Sequence, residues 1–210
     1  MKKKIIVLIA SILLISGLTY LGGILLTINN QTLKVILNIL INLLNGVVAL
    51  IAMKLTNIKL NLNFKEKKQY LIGISIGLIL STCIIYIPLL FGINFVGPHE
   101  TYSKLSLLYN FLFFMLIIGP VEELVFRVYL EETFISFFNK NKWISVIITS
   151  LLFGLWHLIN GSFIQVLFTF GIGLVFGFSK YLIKNCTYLS VSIGHGLYDF
   201  LNVIARMFVI

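Results

Sequence analysis

Residues 2–26 read KKKIIVLIASILLISGLTYLGGILL: three lysines, then an apolar run long enough to cross a bilayer as a helix. Lysines ahead of an apolar run also begin a secretory signal. Here the run is long and no small-residue A-x-A site follows, so it reads as a retained first span. Comparable runs recur along the chain, and spans are expected at about 5–28, 32–53, 70–93, 105–130, 143–159, 162–179 and 187–205. The expected fold class is therefore all-α, a polytopic transmembrane helical bundle of about seven spans.

Composition agrees. Of the 210 residues, 59% are hydrophobic and 11% charged, with a mean hydropathy of +1.04, whereas soluble domains carry about 25% charged residues. The solvent is lipid, and a single membrane domain is expected. The net charge of +9 does not point to nucleic acid, because the lysines fall between apolar runs and form no basic face interleaved with exposed aromatics. Cys83 and Cys186 lie far apart with no CxxC spacing, which supports neither a disulfide framework nor a zinc ribbon.

The lysines also orient the chain. Lys2, Lys3 and Lys4, then Lys54, Lys59, Lys65, Lys67 and Lys68, then Lys140 and Lys142, then Lys180 and Lys184 fall on one side of the expected topology. Only Lys34, Lys104 and Arg206 fall on the other. The positive-inside bias predicts a cell-membrane protein with a cytoplasmic N-terminus.

Ionisable groups inside the spans are confined to the second half. Through residue 93 the spans are almost free of them; beyond it come Glu122, Glu123, Arg127, His157, His195 and Asp199. Charge at membrane depth is costly and marks function by default. The chain is accordingly divided into N-terminal scaffold spans, 1–104, and a catalytic core, 105–210.

Glu123 and Arg127 are spaced i, i+4 and can pair on one helix face, either as a structural lock or as part of a site. Glu122 points about 100° away and has no local cationic partner, which favours proton handling. His157 follows Phe153 by one helical turn, and Asp199 follows His195 by one turn. Measured from the inner span ends at 1.5 Å per residue, Glu123, His157 and His195 lie roughly 12–21 Å deep, so they can share a layer. A carboxylate and two imidazoles in a membrane-embedded cavity are the parts for activating water.

Other polar residues read more simply. His99 and Glu100 follow a Gly-Pro turn on the outer loop and are expected in solvent, and Glu131 and Glu132 should meet water or lysines at the inner interface. Gly171, Gly173 and Gly177 suit close helix packing. Asn38, Asn42 and Asn45 share a face of the second span and are expected to hydrogen-bond across helices.

The ordered motifs Glu122-Glu123-Leu-Val-Phe-Arg127, Phe153-Gly-Leu-Trp-His157 and His195-Gly-Leu-Tyr-Asp199 resemble those of the CPBP intramembrane proteases, the CAAX protease and bacteriocin-processing (Abi) family. Pro120 and Phe126 add to the likeness, which covers about residues 105–202. Two positions depart from it: Val128 stands where a glycine commonly follows the arginine, and Asp199 where many members have asparagine.

The resemblance implies hydrolysis of a membrane-associated peptide or protein substrate within the lipid bilayer. By similarity Glu122 and His157 hold and deprotonate the attacking water. His195 with Asp199 stabilises the oxyanion, and Glu123 with Arg127 fixes the helix and helps orient the substrate. Asp199 is expected to orient His195 through its ring N–H.

A metal mechanism stays open, in which Glu122, His157 and His195 form a His₂Glu zinc set; the metal-free, glutamate-type reading is preferred. Likeness to short members found near bacteriocin or pheromone systems implies peptide processing or self-immunity. A non-catalytic immunity protein and a proton-coupled transporter are the alternatives. The second should show matching broken helices in two halves, whereas the chemistry here sits in one.

Overall fold

The computed structural model of the chain describes residues 2–25, 27–159 and 161–209, and among these there is no strand. Seven helical segments follow one another: α1 Lys2–Leu25, α2 Gln31–Thr56, α3 Lys68–Leu90, α4 over residues 104–137, α5 Lys142–Trp156, α6 Phe163–Leu182 and α7 Tyr188–Arg206. Each lies on one of the expected spans. Four of them, α1, α2, α3 and α6, are long and apolar enough to cross a membrane. Their outward side chains are large and apolar: Leu13 and Leu71 are each 67% exposed. In water such surfaces would aggregate; against lipid they are the expected exterior.

Helix ends follow local chemistry. Asn30, Ser103, Asn141 and Thr187 each accept a backbone N–H from the first turn of the helix they begin, and Thr187 with Ser190 completes a capping box. Asn57, at φ 59°, closes α2 in the left-handed conformation.

Two helices are not regular. The stretches Thr82–Tyr86 in α3 and Phe114–Ile118 in α4 are wide π turns, and each ends two residues before a proline, Pro88 or Pro120. A proline supplies no N–H to the preceding turn, so the ladder is re-registered there: Ile87 bonds back to Thr82, and Gly119 to Phe114. A third wide stretch, Leu124–Leu130, has no proline and carries the charged motif itself.

The described helices form two compact units, Met1–Asn61 with Val121–Leu182, and Leu62–Pro120 with Ile183–Ile210. In the first, α1 packs along α2 and α5 along α6, while the 121–137 part of α4 meets α2 and α5. The Ser11 and Tyr129 hydroxyls, 2.7 Å apart, join α1 to α4, and the Phe126 ring meets Phe153 and Trp156 edge-on.

In the second unit, α3 and α7 touch backbone to backbone. A Cβ added at Gly73 would lie 2.6 Å from the Ser190 carbonyl oxygen, and one at Gly77 2.8 Å from that of Gly194. Without a hydrophobic drive between helices in lipid, such small-residue seams carry the association. Thr187 Oγ1 donates to Gln69 Oε1 at 2.6 Å, and Arg206 pairs with Glu100 at 3.1 Å. Glu100 is thus tied to the last helix as well as near solvent.

Candidate active site

The wide turn of α4 is built around a sealed ion pair. Glu123 and Arg127 are both fully buried, with Oε2 3.3 Å from Nε in an ionic contact that lies off the hydrogen-bond axis. Arg127 Nη1 donates to Thr149 Oγ1 at 3.4 Å, and the guanidinium carbon stands 5.5 Å from the centre of the Phe153 ring. Gly173 provides the room: a Cβ there would come within 2.9 Å of Arg127 Nη2. Gly177 allows a similar approach of Val146, whereas Gly171 faces open space.

Just beyond, the Glu131 N–H passes over Arg127 and bonds to the Phe126 carbonyl. The Arg127 carbonyl accepts from Lys180 Nζ at 2.6 Å. Lys180 also reaches Glu131 at 3.0 Å and Glu132 at 3.2 Å, and the Tyr181 hydroxyl donates to Glu131 at 2.8 Å. Glu131 is fully buried. The sequence led to the expectation that Glu131 and Glu132 meet water or lysines, and both meet Lys180; the helix runs on to Phe137, and Glu131 is held inside by that lysine of α6.

Glu122 turns the other way. Together with His157 it lines a cavity of about 200 Å³, walled also by Thr19, Asn42, Asn45 and Gln165. His157 is the C-cap of α5, and its Nδ1 lies 2.8 Å from the Phe153 carbonyl oxygen. A carbonyl only accepts, so Nδ1 carries the proton and Nε2 of the neutral ring is left as a lone pair. The cavity is thus lined by a carboxyl and an imidazole side chain, with volume for more than one water. Beside it, sharing Phe126 and Trp156, lies an apolar groove of about 180 Å³.

In the second unit, α7 carries His195, nearly buried, with Nε2 3.4 Å from Asp199 Oδ2 one turn on. The carboxylate thus stands at ion-pair distance from that ring nitrogen. Close packing surrounds this turn: a Cβ on the neighbouring Gly196 would lie 2.5 Å from the Phe114 carbonyl oxygen.

Among the described residues no three His, Cys, Asp or Glu side chains group as metal ligands do. The cavity lining contributes two such donors, Glu122 and His157, one fewer than the usual three protein ligands of a catalytic zinc.

A family model described as type II CAAX prenyl endopeptidase Rce1-like matches residues 104–201. Over that segment, a little under half of the chain, the sequence is similar to the Rce1-like family. The matched segment contains every motif residue from Glu122 to Asp199 and bears out the resemblance drawn from the sequence. It supports intramembrane endopeptidase activity of the CAAX-protease kind. No curated protein and no solved structure matches the chain.

The Rce1-like match excludes α1 to α3, yet the cavity draws Thr19 from α1 and Asn42 and Asn45 from α2. The signal for Asn42 and Asn45 was present as a polar stripe in an apolar span. For Lys180 it was the i, i+3 spacing behind Gly177, on the face that packs closely.

Proposed function

We propose that the protein hydrolyses a peptide bond of a membrane-associated substrate, with Glu122 as the base that activates water. The observation that carries this is the division of labour on one helix turn: Glu123 pairs with Arg127, while Glu122 and His157 line a common cavity. Water donates to both acceptors, and its oxygen attacks the scissile carbonyl carbon as one proton passes to Glu122. The tetrahedral intermediate then collapses; the C–N bond breaks, and Glu122 returns the proton to the leaving amine. On the strength of its motif alone, His195, oriented by Asp199, is assigned to the oxyanion.

The flanking groove, lined by Ile12, Leu130, Leu152 and Leu155, fits an apolar group of the substrate and so supports a lipid-embedded or lipidated peptide. Processing of a bacteriocin or pheromone peptide is the corresponding cellular role. The deciding experiment is proteolysis in liposomes of unmodified and prenylated membrane peptides by wild type and Glu122→Gln. Cleavage by wild type alone is expected. Equal cleavage by both, or by neither, overturns the proposal.

The lysine bias further supports a cytoplasmic N-terminus and a cytoplasmic 54–70 loop. A cysteine at Lys65 should resist impermeant thiol reagent in intact cells while one at Thr101 reacts, and the reverse pattern refutes the orientation.

A further inference from the structure

The stretch Leu124–Leu130 of α4 is wide with no proline to make it so, whereas the other two wide turns each end two residues before one. Wide turns are rare, and inside α-helices they often sit at functional sites. This one begins two residues after Glu122. Its far end is held by a side chain. The Glu131 N–H bonds to the Phe126 carbonyl, one residue further back than in a regular helix, and leaves the Arg127 carbonyl to another donor. Lys180 Nζ takes it at 2.6 Å.

Lys180 is committed to that position. An ammonium has three donors, and they meet the Arg127 carbonyl, Glu131 at 3.0 Å and Glu132 at 3.2 Å. The Lys180 side chain is 16% exposed and that of Glu131 fully buried. Gly173, Gly177 and Lys180 recur at i, i+4 and i+7, so they share one face of α6. The glycines let that face come close: a Cβ on Gly173 would lie 2.9 Å from Arg127 Nη2, and one on Gly177 3.4 Å from Glu131 Oε2.

A helix carbonyl needs no lysine, because the regular turn would supply the Glu131 N–H. Forgoing that bond keeps one more residue in the turn, and each residue rotates a helix by about 100°. That rotation sets the two ends of α4 against different neighbours. Upstream, Glu122 lies in the cavity wall with His157; downstream, Glu131 lies against α6. Closing the turn would cost one placement or the other.

We propose that Lys180 is a positioning residue for the reaction: its bond to the Arg127 carbonyl keeps the turn wide, and the wide turn keeps Glu122 in the cavity wall. This rests on the peptidase reading above.

The test compares Glu131→Gln with Lys180→Met/Glu131→Gln in nanodiscs. Both lack the buried Glu131 charge, and only the second lacks the donor on the Arg127 carbonyl. With isotope label on the glutamate carboxyl carbons, the Glu122 magnetic-resonance signal is known by its loss in Glu122→Gln. It should keep its wild-type position in Glu131→Gln and move in the double variant. On a peptide that wild type cleaves, kcat should fall about tenfold between the two variants, the size of one hydrogen bond, with KM and the melt unchanged. The proposal is overturned if the signal stays put in the double variant, if kcat is kept, or if KM rises instead. Should the double variant fail to fold, wild-type protein decides. With labelled nitrogen in the lysine side chains and labelled carbon in the carbonyls of Arg127 and Arg206, dipolar recoupling finds Lys180 beside Arg127 if the proposal holds, and its absence overturns it. A Glu122 signal that moves while wild type cleaves no peptide sinks the peptidase reading and spares Lys180. Cleavage with an unmoved signal does the opposite.

Discussion

Glu122 and Glu123 are chain neighbours on one membrane helix and have opposite surroundings. Glu123 is fully buried 3.3 Å from Arg127, which itself meets Thr149 and Phe153 and whose carbonyl accepts from Lys180. Glu122 lines an open cavity with His157. Both are charges in an apolar helix, so burial alone does not identify the chemical one. Access does: Glu123 and Arg127 are fully buried against each other, whereas Glu122 lines a cavity.

The comparison breaks most sharply on Glu122→Gln. The amide keeps the size and hydrogen bonding of the side chain but cannot take a proton, so turnover should fall roughly 10²–10⁴-fold. Thermal melting should be unchanged. Near-normal turnover, or a melt that collapses, would move Glu122 into the structural class.

Glu123→Gln should show the converse. It leaves the Arg127 guanidinium fully buried without its counter-charge, and breaking such a pair costs about 3–5 kcal/mol in soluble proteins. A large drop in melting temperature is expected, with activity lost in step with folding. The double change Glu123→Gln/Arg127→Met removes the stranded charge and should recover much of the stability. If the single variant melts like wild type, the network is not what holds the turn.

A chelator sharpens the open side of the comparison. With Glu122 and His157 as the two metal-type donors of the cavity, glutamate chemistry predicts that activity survives chelation and that purified protein carries no stoichiometric zinc. About one equivalent of bound zinc, removed together with activity, would replace the base by a metal-bound water.

Much of the fold was legible because lipid leaves a chain few choices: an apolar run of span length becomes a helix, and the seven runs did so. The charged motif was legible for the same reason, since Glu122, Glu123 and Arg127 stand out against their neighbours. What could not be read was partnership across helices. Lys180 looked like one more interfacial lysine until α6 laid it against the Arg127 carbonyl. Asn45 looked like a helix-to-helix bonder, and it is one, through Thr19; that it also lines the Glu122 cavity depends on how α1, α2 and α5 pack. The wide turn of α4 likewise carries no proline to announce it.

The smallest expected effect concerns Asp199, where many proteins of similar motif carry asparagine. Its carboxylate stands 3.4 Å from His195 Nε2 and is partly exposed, at 23%. If its task is to hold the ring, an asparagine serves, because its side-chain oxygen still accepts from the same N–H. Asp199→Asn should therefore keep turnover within about threefold of wild type, less than the loss of one ordinary hydrogen bond. Asp199→Leu, which fills similar space with no acceptor, should cost about tenfold or more as the imidazole loses its orientation. The pair separates position from charge. If Asn and Leu are equally damaging, the negative charge itself is required, and Asp199 acts on the protonation of His195 and not on its pose.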